Sequence, residues 1–330
     1  MGDLGREVSI AAPAGAPAPT SVTGPRRPGR QRGRGRHQGR IALLFISPWL
    51  VGFVVFMAYP VIYTGYLSLT DYDVINDPSF VGLENYRELL TDEKVTLALR
   101  NTFVYTAMSV PIQLVFSLGL ALLLQRAGRA AGFFRTAFFL PKMTPPVAVG
   151  VLLLMLLNGQ SGLVNESLGW FGINGPNWTT DPAWVKPGLV IMSLWTVGAS
   201  VIILLAALQQ VPEELLDAAR VDGAGWWQRL WHVTLPVISP AIYFIVVVDT
   251  IASLQSFTEA YTAFFGAGNT TYSNDAALFY AIYLFQQAFE FLHMGYASAL
   301  AMLLFLIVML VTAVQVWLSR RYVHYTGGAR

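Results

Sequence analysis

Two long segments of this chain contain no Asp, Glu, Lys, Arg or His. Ile41–Thr70 extends for thirty residues and Asn101–Gln125 for twenty-five. A transmembrane helix needs about twenty predominantly apolar residues, so each segment is long enough to cross a bilayer. The whole chain is only 12% charged, whereas a typical soluble domain is about 25% charged. These features exclude an ordinary soluble globular protein and indicate an integral membrane protein.

Further apolar segments continue this pattern along the chain. We predict an all-α, polytopic membrane protein with six transmembrane helices, at about residues 41–66, 101–125, 138–157, 187–210, 237–257 and 295–318. They form one membrane domain, 41–321, between a disordered basic tail, 1–40, and a short tail, 322–330. The chain has no Cys and its four His are scattered, so we expect neither a disulfide nor a metal site.

The distribution of Lys and Arg predicts the orientation of the spans. Of the 21 basic residues, 17 lie before the first span, around Arg126–Lys142, in the polar segment Val211–Pro236 and after the sixth span, and 4 lie in the other connecting segments. Lys and Arg are enriched on the cytoplasmic side of membrane proteins. We therefore expect a multi-pass protein of the plasma membrane with both termini and Val211–Pro236 in the cytoplasm. An RNA-binding tail is the alternative, but an anchor beside the first span accounts for the same arginines, and no nucleic-acid partner is expected.

The segment Val211–Pro236 interrupts the apolar pattern and is not built as a simple connector. Pro212 suits the first turn of a helix, and the two glutamates after it favour the positive end of the helix dipole. Gly223 and Gly225 can supply a turn. A second short helix would then carry its aromatic and aliphatic side chains on one face: Trp226, Trp227, Leu230 and Trp231. We predict a helix–turn–helix that lies on the membrane surface and presents an acidic face.

Asp217-Ala218-Ala219, followed after three residues by Gly223 and after nine more by Val233-Thr234-Leu235-Pro236, resembles the EAA motif of permease subunits in binding-protein-dependent ABC importers. Asp217 stands where Glu is usual, and Val233 stands where Ile is usual. The resemblance implies a cytoplasmic coupling helix that docks into a cleft of a separate ATPase subunit. The residues that it assigns to coupling are Glu213, Glu214, Asp217, Ala218, Ala219, Asp222 and Gly223. Without the resemblance, the segment would be interpreted as an ordinary amphipathic loop.

Two other stretches are similar to parts of the same family. Phe80-Val81-Gly82-Leu83-Glu84-Asn85-Tyr86 resembles a stretch that follows the first span in sugar-type ABC permeases. Gly266–Thr271 resembles the family's Gly-Gly-Pro loop but lacks the Pro. The similarities together extend over roughly Ile41–Arg321.

The predicted fifth span contains a carboxylate, Asp249, which is costly within a bilayer and usually faces a bundle interior or a water-filled path. Ser253 and Ser256 follow it by four and seven residues, and thus lie on the same helical face. We expect these three residues, with Gln255 and Glu259, to line a substrate path. The alternative is that the serines bond helix carbonyls or pack against neighbouring helices.

A resemblance to maltose-type permeases implies sugar contacts on the helices before and after the EAA motif. After the motif, the implied positions coincide with the polar face just described, and its acidic Asp249 argues against an anionic substrate. Before the motif, they fall on Trp195, Gly198 and Ser200. Lys142, near the start of the predicted third span, is expected to extend to the near membrane interface. A role for Lys142 in the path is the alternative.

The resemblance implies the permease subunit of an ATP-driven importer that moves a mono- or oligosaccharide by alternating access. Its implied partners are a second permease subunit in a heterodimer, two ATPase subunits and an extracytoplasmic solute-binding protein, within the lipid bilayer. The chain has no GxxxxGK[ST] phosphate loop, so we expect no enzyme activity or cofactor on this chain, with ATP and Mg on the ATPase subunits. An ion-coupled secondary transporter or channel acting alone is the main alternative, and a membrane enzyme is the third.

Overall fold

The computed structural model describes residues 34–266 and 274–322. The structure in these ranges is almost entirely helical. The α-helices are α1 (Arg34–Phe53), α2 (Tyr59–Leu67), α3 (Glu84–Thr91), α4 (Glu93–Arg126), α5 (Ala131–Phe139), α6 (Pro146–Leu156), α7 (Leu163–Gly169), α8 (Pro182–Ser193), α9 (Gly198–Leu208), α10 (Glu213–Val221), α11 (Trp226–Arg229), α12 (Leu235–Leu254), α13 (Thr258–Phe264), α14 (Asn274–Ala277), α15 (Tyr280–Phe285) and α16 (Met294–Tyr322). Two short strands, β1 (Thr70–Asp71) and β2 (Ser79–Phe80), pair antiparallel.

The chain divides into two compact units, Met1–Ala58 and Tyr59–Arg330. The described part of the first unit consists of α1 and the π-helical turn Val54–Ala58. The second unit contains the other helices, both strands and every residue predicted for the site. Helix α1 begins at Arg34, inside the segment 1–40 that is predicted to be disordered. The predictions for 1–33, for 323–330 and for most of the Gly266–Thr271 loop lie outside the described residues.

Within the described ranges, four helices are long and apolar enough to cross a membrane, and two bent helix pairs raise the number to as many as six. The four are Leu44–Leu67, Glu93–Arg126, Trp226–Phe264 and Met294–Arg321. The prediction of an all-α membrane fold is therefore confirmed. The number of spans equals the predicted six when each bent pair is counted as one.

The bent pairs are the main departure from the predicted spans. Helices Ala131–Met143 and Pro146–Leu156 meet at 98°, where the sequence predicts a single span at 138–157. Thr144, which precedes Pro145, has ψ 129°, an extended conformation that proline imposes on the residue before it. Pro182–Thr196 and Gly198–Leu208 form the second pair, with a bend of 55°.

Helices α4, α9 and α12 pack together around a cluster of buried side chains. Ala121, Leu204, Leu208, Ile238 and Ile245 in this cluster are each at most 2% exposed. Lipid tails are as apolar as these side chains, so their association in a membrane depends on close van der Waals contact. This packing fixes the helix before α10 against the helix that follows α11.

The stretch Phe80–Tyr86, which is similar to sugar-type permeases, anchors the end of α2. Its Asn85 side chain donates to the carbonyl oxygens of Ser68 and Thr70, at 3.0 and 2.9 Å. The hydroxyls of Tyr86 and Ser68 are 2.8 Å apart. These contacts give the stretch a structural role at this end of α2.

Asp92 joins three helices through its carboxylate. It caps α4 by accepting the Lys94 N–H at 2.8 Å, and it accepts the hydroxyls of Tyr283 and Tyr296 at 2.5 and 2.8 Å. Burial raises the pKa of Asp92, but hydrogen bonds to the ionised form outweigh this effect and hold its pKa below the ordinary value. Helices α4, α15 and α16 are thereby tied together by residues about 200 positions apart in the chain.

Candidate substrate cavity and coupling surface

A cavity of about 420 Å³ lies among α4, α6, α8, α9 and α12. Of the eight residues predicted for the substrate path, those that line this cavity are Ser200, Asp249, Ser253, Gln255, Ser256 and Glu259. Residues that the sequence places on two separate helices are thus brought together around one space. Trp195 and Gly198 are not in the lining.

Helix α12 ends at Leu254, before the predicted end of the fifth span at residue 257. Gln255 and Phe257 leave helical geometry, with φ of −104° and −138°. Ser256 lies in this break, so irregular backbone, and not the helical spacing that predicted it, brings it to the cavity. Within a membrane, irregular backbone is tolerated where it is buried in protein or lines a cavity.

Ser253 and Asp249 differ in what their side chains contact. The Ser253 hydroxyl is buried and lies 3.1 Å from the Ser109 hydroxyl of α4, which agrees with the alternative interpretation of this serine as a helix-packing contact. Asp249 is half-buried, and its enclosed Oδ2 has no hydrogen-bond partner among the described residues. A buried acceptor without a partner costs about 1–3 kcal/mol. Asp249 therefore brings to this cavity an enclosed acceptor oxygen with unused bonding capacity.

Lys142 also lines the cavity, as in the alternative that the sequence left open. It lies on the 3₁₀ turn Leu140–Met143, just before the 98° bend. Lys142 and Asp249 bring opposite charges to one space, but they form no ion pair in the described part of the chain. Ionisable groups in such positions mark substrate or ion paths in membrane proteins.

Helix α4 supplies two further lining residues that sequence reasoning missed, Tyr105 and Gln113. Together with Ser109 they recur every four residues, so they lie on one helical face. Gln113 donates to the Ser193 hydroxyl of α8 at 3.0 Å. Polar residues that recur every four positions within the charge-free segment Asn101–Gln125 could therefore have identified this cavity-lining face from the sequence.

Gly198 allows close packing between α9 and α5. The bend in the fourth span brings it against the backbone, and a Cβ atom at this position would lie 2.2 Å from the carbonyl oxygen of Phe138. Trp195, by contrast, is 52% exposed. Of the three residues predicted before the EAA motif, Ser200 is the one that lines the cavity in this structure.

We expect Gly198→Ala to lower the thermal stability of the chain in detergent. The added methyl group meets backbone atoms that cannot move independently, and overpacking of this kind costs about 1–3 kcal/mol. Gly119→Ala in α4 is the matched control, because a Cβ atom there has no neighbour within 4 Å. A melting temperature for Gly198→Ala equal to that of the control would contradict the packing role.

The residues predicted for coupling lie together on α10 and in the turn after it. The exposed ones are Glu213, Glu214, Asp217, Ala218, Asp222 and Gly223, and Ala219 is half-buried. Asp217 forms an ion pair with Arg220 at 2.6 Å, the one such pair in the described ranges. Leu215 and Val221 are 47% and 88% exposed, and they add apolar groups to this acidic face. Sequence reasoning missed these two as surface residues.

Gly223 closes α10 with a Schellman motif. Its N–H donates to the Arg220 carbonyl at 3.0 Å, and the Ala224 N–H donates to the Ala219 carbonyl at 2.9 Å. This arrangement needs a left-handed residue after the helix, and Gly223 has φ +79°. The glycine of the EAA-like motif therefore determines the direction in which the chain leaves α10.

Helix α11 is not a separate short helix, in contrast to the prediction. The π-helical turn Leu230–Thr234 joins it directly to α12. At its start, the Gly225 N–H donates to the Gln228 side-chain oxygen at 2.7 Å. One continuous helix therefore extends from the turn after α10 to the substrate cavity.

Comparisons with known proteins agree with this arrangement. The family described as binding-protein-dependent transport system inner membrane component matches residues 113–324. The chain is 37% identical over 283 residues to the probable ABC transporter permease protein YesP of Bacillus subtilis, covering 85% of this chain and 91% of that protein. It is 32% identical to the lactose transport system permease protein LacF of Rhizobium radiobacter, with coverages of 84% and 93%. Its fold is similar to a chain in the crystal structure of a bacterial alginate ABC transporter in complex with an alginate pentasaccharide-bound periplasmic protein (TM-score 0.73, 22% identity, coverages of 86% and 96%).

Proposed function

The chain belongs to the family of binding-protein-dependent transport system inner membrane components, and we propose that it is the permease subunit through which an ATP-driven importer moves a mono- or oligosaccharide. The resemblance inferred from the EAA-like motif is confirmed by this family membership. The chain is a multi-pass membrane transport component and not an enzyme.

The observation that carries the proposal is the continuous helix from Trp226 to Leu254. Its first turn follows the acidic surface of α10, and its last turns carry Asp249 and Ser253 into the cavity. Movement of the α10 surface by a partner is therefore transmitted to the cavity through one helix. In alternating access, this movement changes the side of the membrane to which the cavity opens.

The cavity suits a polyhydroxyl substrate. Asp249 and Glu259 can accept hydrogen bonds from a substrate, Lys142 can donate them, and Tyr105 and Phe257 add aromatic surface. With two carboxylates and one ammonium, this lining supports a neutral sugar more than an anionic one. The lactose permease relative and the structurally similar transporter are both named for saccharides, although alginate is an acidic one.

The proposed assembly contains a second permease subunit, two ATPase subunits and an extracytoplasmic solute-binding protein. A periplasmic protein is bound in the structurally similar alginate transporter. The exposed α10 residues are the proposed contact with the ATPase subunits, which would hold ATP and Mg. The basic residues at the predicted inner ends of the spans support a plasma-membrane orientation with both termini and α10 in the cytoplasm.

Co-purification followed by reconstitution tests this function. The tagged chain should co-purify with an ATPase and a second multi-span subunit, and proteoliposomes of the complex should take up sugar only with ATP and the binding protein. Labelled saccharide accumulation is the measurement, with ATP-free vesicles as control. Ion-gradient-driven uptake by the purified chain alone would instead support the secondary-transporter alternative and overturn the proposal.

A further inference from the structure

A groove of about 270 Å³ separates α10 and α11 from the ends of α4 and α9. Three of its lining residues are arginines, Arg126, Arg220 and Arg229, and the described residues of its lining include no Asp or Glu. Its apolar wall includes Leu208 and Leu230, which are 1% and 7% exposed. The groove thus combines a cationic rim with a buried apolar wall.

The arginines are held in place by different contacts. The Arg126 guanidinium lies over the Trp226 ring, 5.3 Å from its centroid. Arg229 donates to the Ala224 carbonyl at 3.4 Å, and Arg220 is paired with Asp217. Arg126 and Arg229 therefore have no carboxylate partner among the described residues, and their positive charges remain uncompensated in the groove.

The groove lies where three candidate spans end. Arg126 is the last residue of the span Glu93–Arg126, Trp226 is the first of Trp226–Phe264, and Leu208 ends the bent span Pro182–Leu208. These positions place the guanidinium groups at the level of lipid headgroups, where Trp is also favoured. A ligand that enters from the bilayer would contact the apolar wall and the cationic rim at the same time.

We propose that this groove binds the headgroup of an anionic phospholipid. The guanidinium fork matches phosphate oxygens with two parallel hydrogen bonds, and basic pockets between membrane helices bind anionic headgroups in this way. The lipid phosphate lies between Arg126 and Arg229, and the proximal acyl chain lies against the leucine wall. The lipid thereby ties α11 to the end of α4. This role goes beyond transport itself and does not depend on which substrate is carried.

Native mass spectrometry of the purified full chain tests the site with phosphatidylglycerol and phosphatidylcholine as probes. We expect tighter binding of phosphatidylglycerol, and a reduction in its affinity on the order of tenfold for the double variant Arg126→Gln/Arg229→Gln. Arg321→Gln, at the end of α16 and outside the groove, is the control and should bind like the unmodified chain. The conservative Arg126→Lys/Arg229→Lys should retain part of the preference.

Each other outcome overturns the proposal. Equal affinities of the unmodified chain for the two lipids would show that no anionic headgroup site exists. Competition by millimolar inorganic phosphate would show that the groove takes a free anion and not a lipid. Unchanged phosphatidylglycerol binding by the double variant would place the lipid elsewhere. The unmodified chain alone decides the first two outcomes, even if the double variant does not fold.

Discussion

Gly223→Val should lower ATP-driven uptake tenfold or more while the chain still inserts into the membrane. Gly223 has φ +79°, a left-handed conformation that costs an ordinary L-residue about 1–2 kcal/mol and a β-branched residue more. A Cβ atom at this position has no neighbour within 4 Å, so the effect is conformational and not steric. The Schellman motif is lost, and the acidic face of α10 changes its angle to α11. We expect uptake to decrease tenfold or more, because about 1.4 kcal/mol corresponds to a factor of ten.

The measurement is sugar accumulation together with ATP hydrolysis by the assembled transporter. Gly225→Ala is the matched control, since Gly225 has an ordinary φ of −67° and a Cβ atom there makes only a 3.6 Å contact with the Gln228 side chain. It should transport almost normally. Normal sugar uptake by Gly223→Val would contradict the coupling role of this turn. ATP hydrolysis without sugar uptake would support it.

Asp249→Leu should remove most transport without disturbing assembly. The enclosed Oδ2 of Asp249 has no partner among the described residues, so we expect the substrate to supply the missing donor. A hydrogen bond to a charged group is worth about 1.5–3 kcal/mol, which predicts a decrease in uptake of about ten- to a hundredfold. Asp249→Asn, which keeps an acceptor oxygen, should retain more activity than Asp249→Leu.

The neighbouring Thr250→Val provides the control for this experiment. The Thr250 hydroxyl bonds the Val246 carbonyl and the Gln315 side chain and does not line the cavity. The variant should lose some stability but keep its apparent affinity for substrate. Initial uptake rates over a range of sugar concentrations separate the two effects. An unchanged initial uptake rate for Asp249→Leu at low sugar concentration would show that Asp249 does not contact the substrate.

The spans and the coupling motif were predictable because both depend on local signals. The bilayer requires a minimum apolar length, which the charge-free Asn101–Gln125 satisfies. The motif from Asp217 to Pro236 has a fixed spacing along the chain. The glycine at 223 was recognisable as a turn residue, since few other residues accept its conformation.

Features that depend on three-dimensional packing were not predictable in the same way. Pro145 and Pro146 can break a helix, but the 98° bend between the helices on either side of them depends on the surrounding structure. The contacts of Asp92 with Tyr283 and Tyr296 join residues about 200 positions apart. The exclusion of Gly198 from the cavity arises from its contact with the Phe138 backbone, which no spacing in the sequence reveals.

The join between α11 and α12 has a mechanical consequence. From Trp226 to Asp249, the helix measures about 35 Å at 1.5 Å per residue, so it acts as a lever arm across the bilayer. A tilt of about 10° at the membrane surface would shift the carboxylate by about 6 Å over that length. Small rotations imposed at the start of this helix would thus become displacements of several ångström at the cavity, provided that the π-helical turn Leu230–Thr234 within the helix stays rigid.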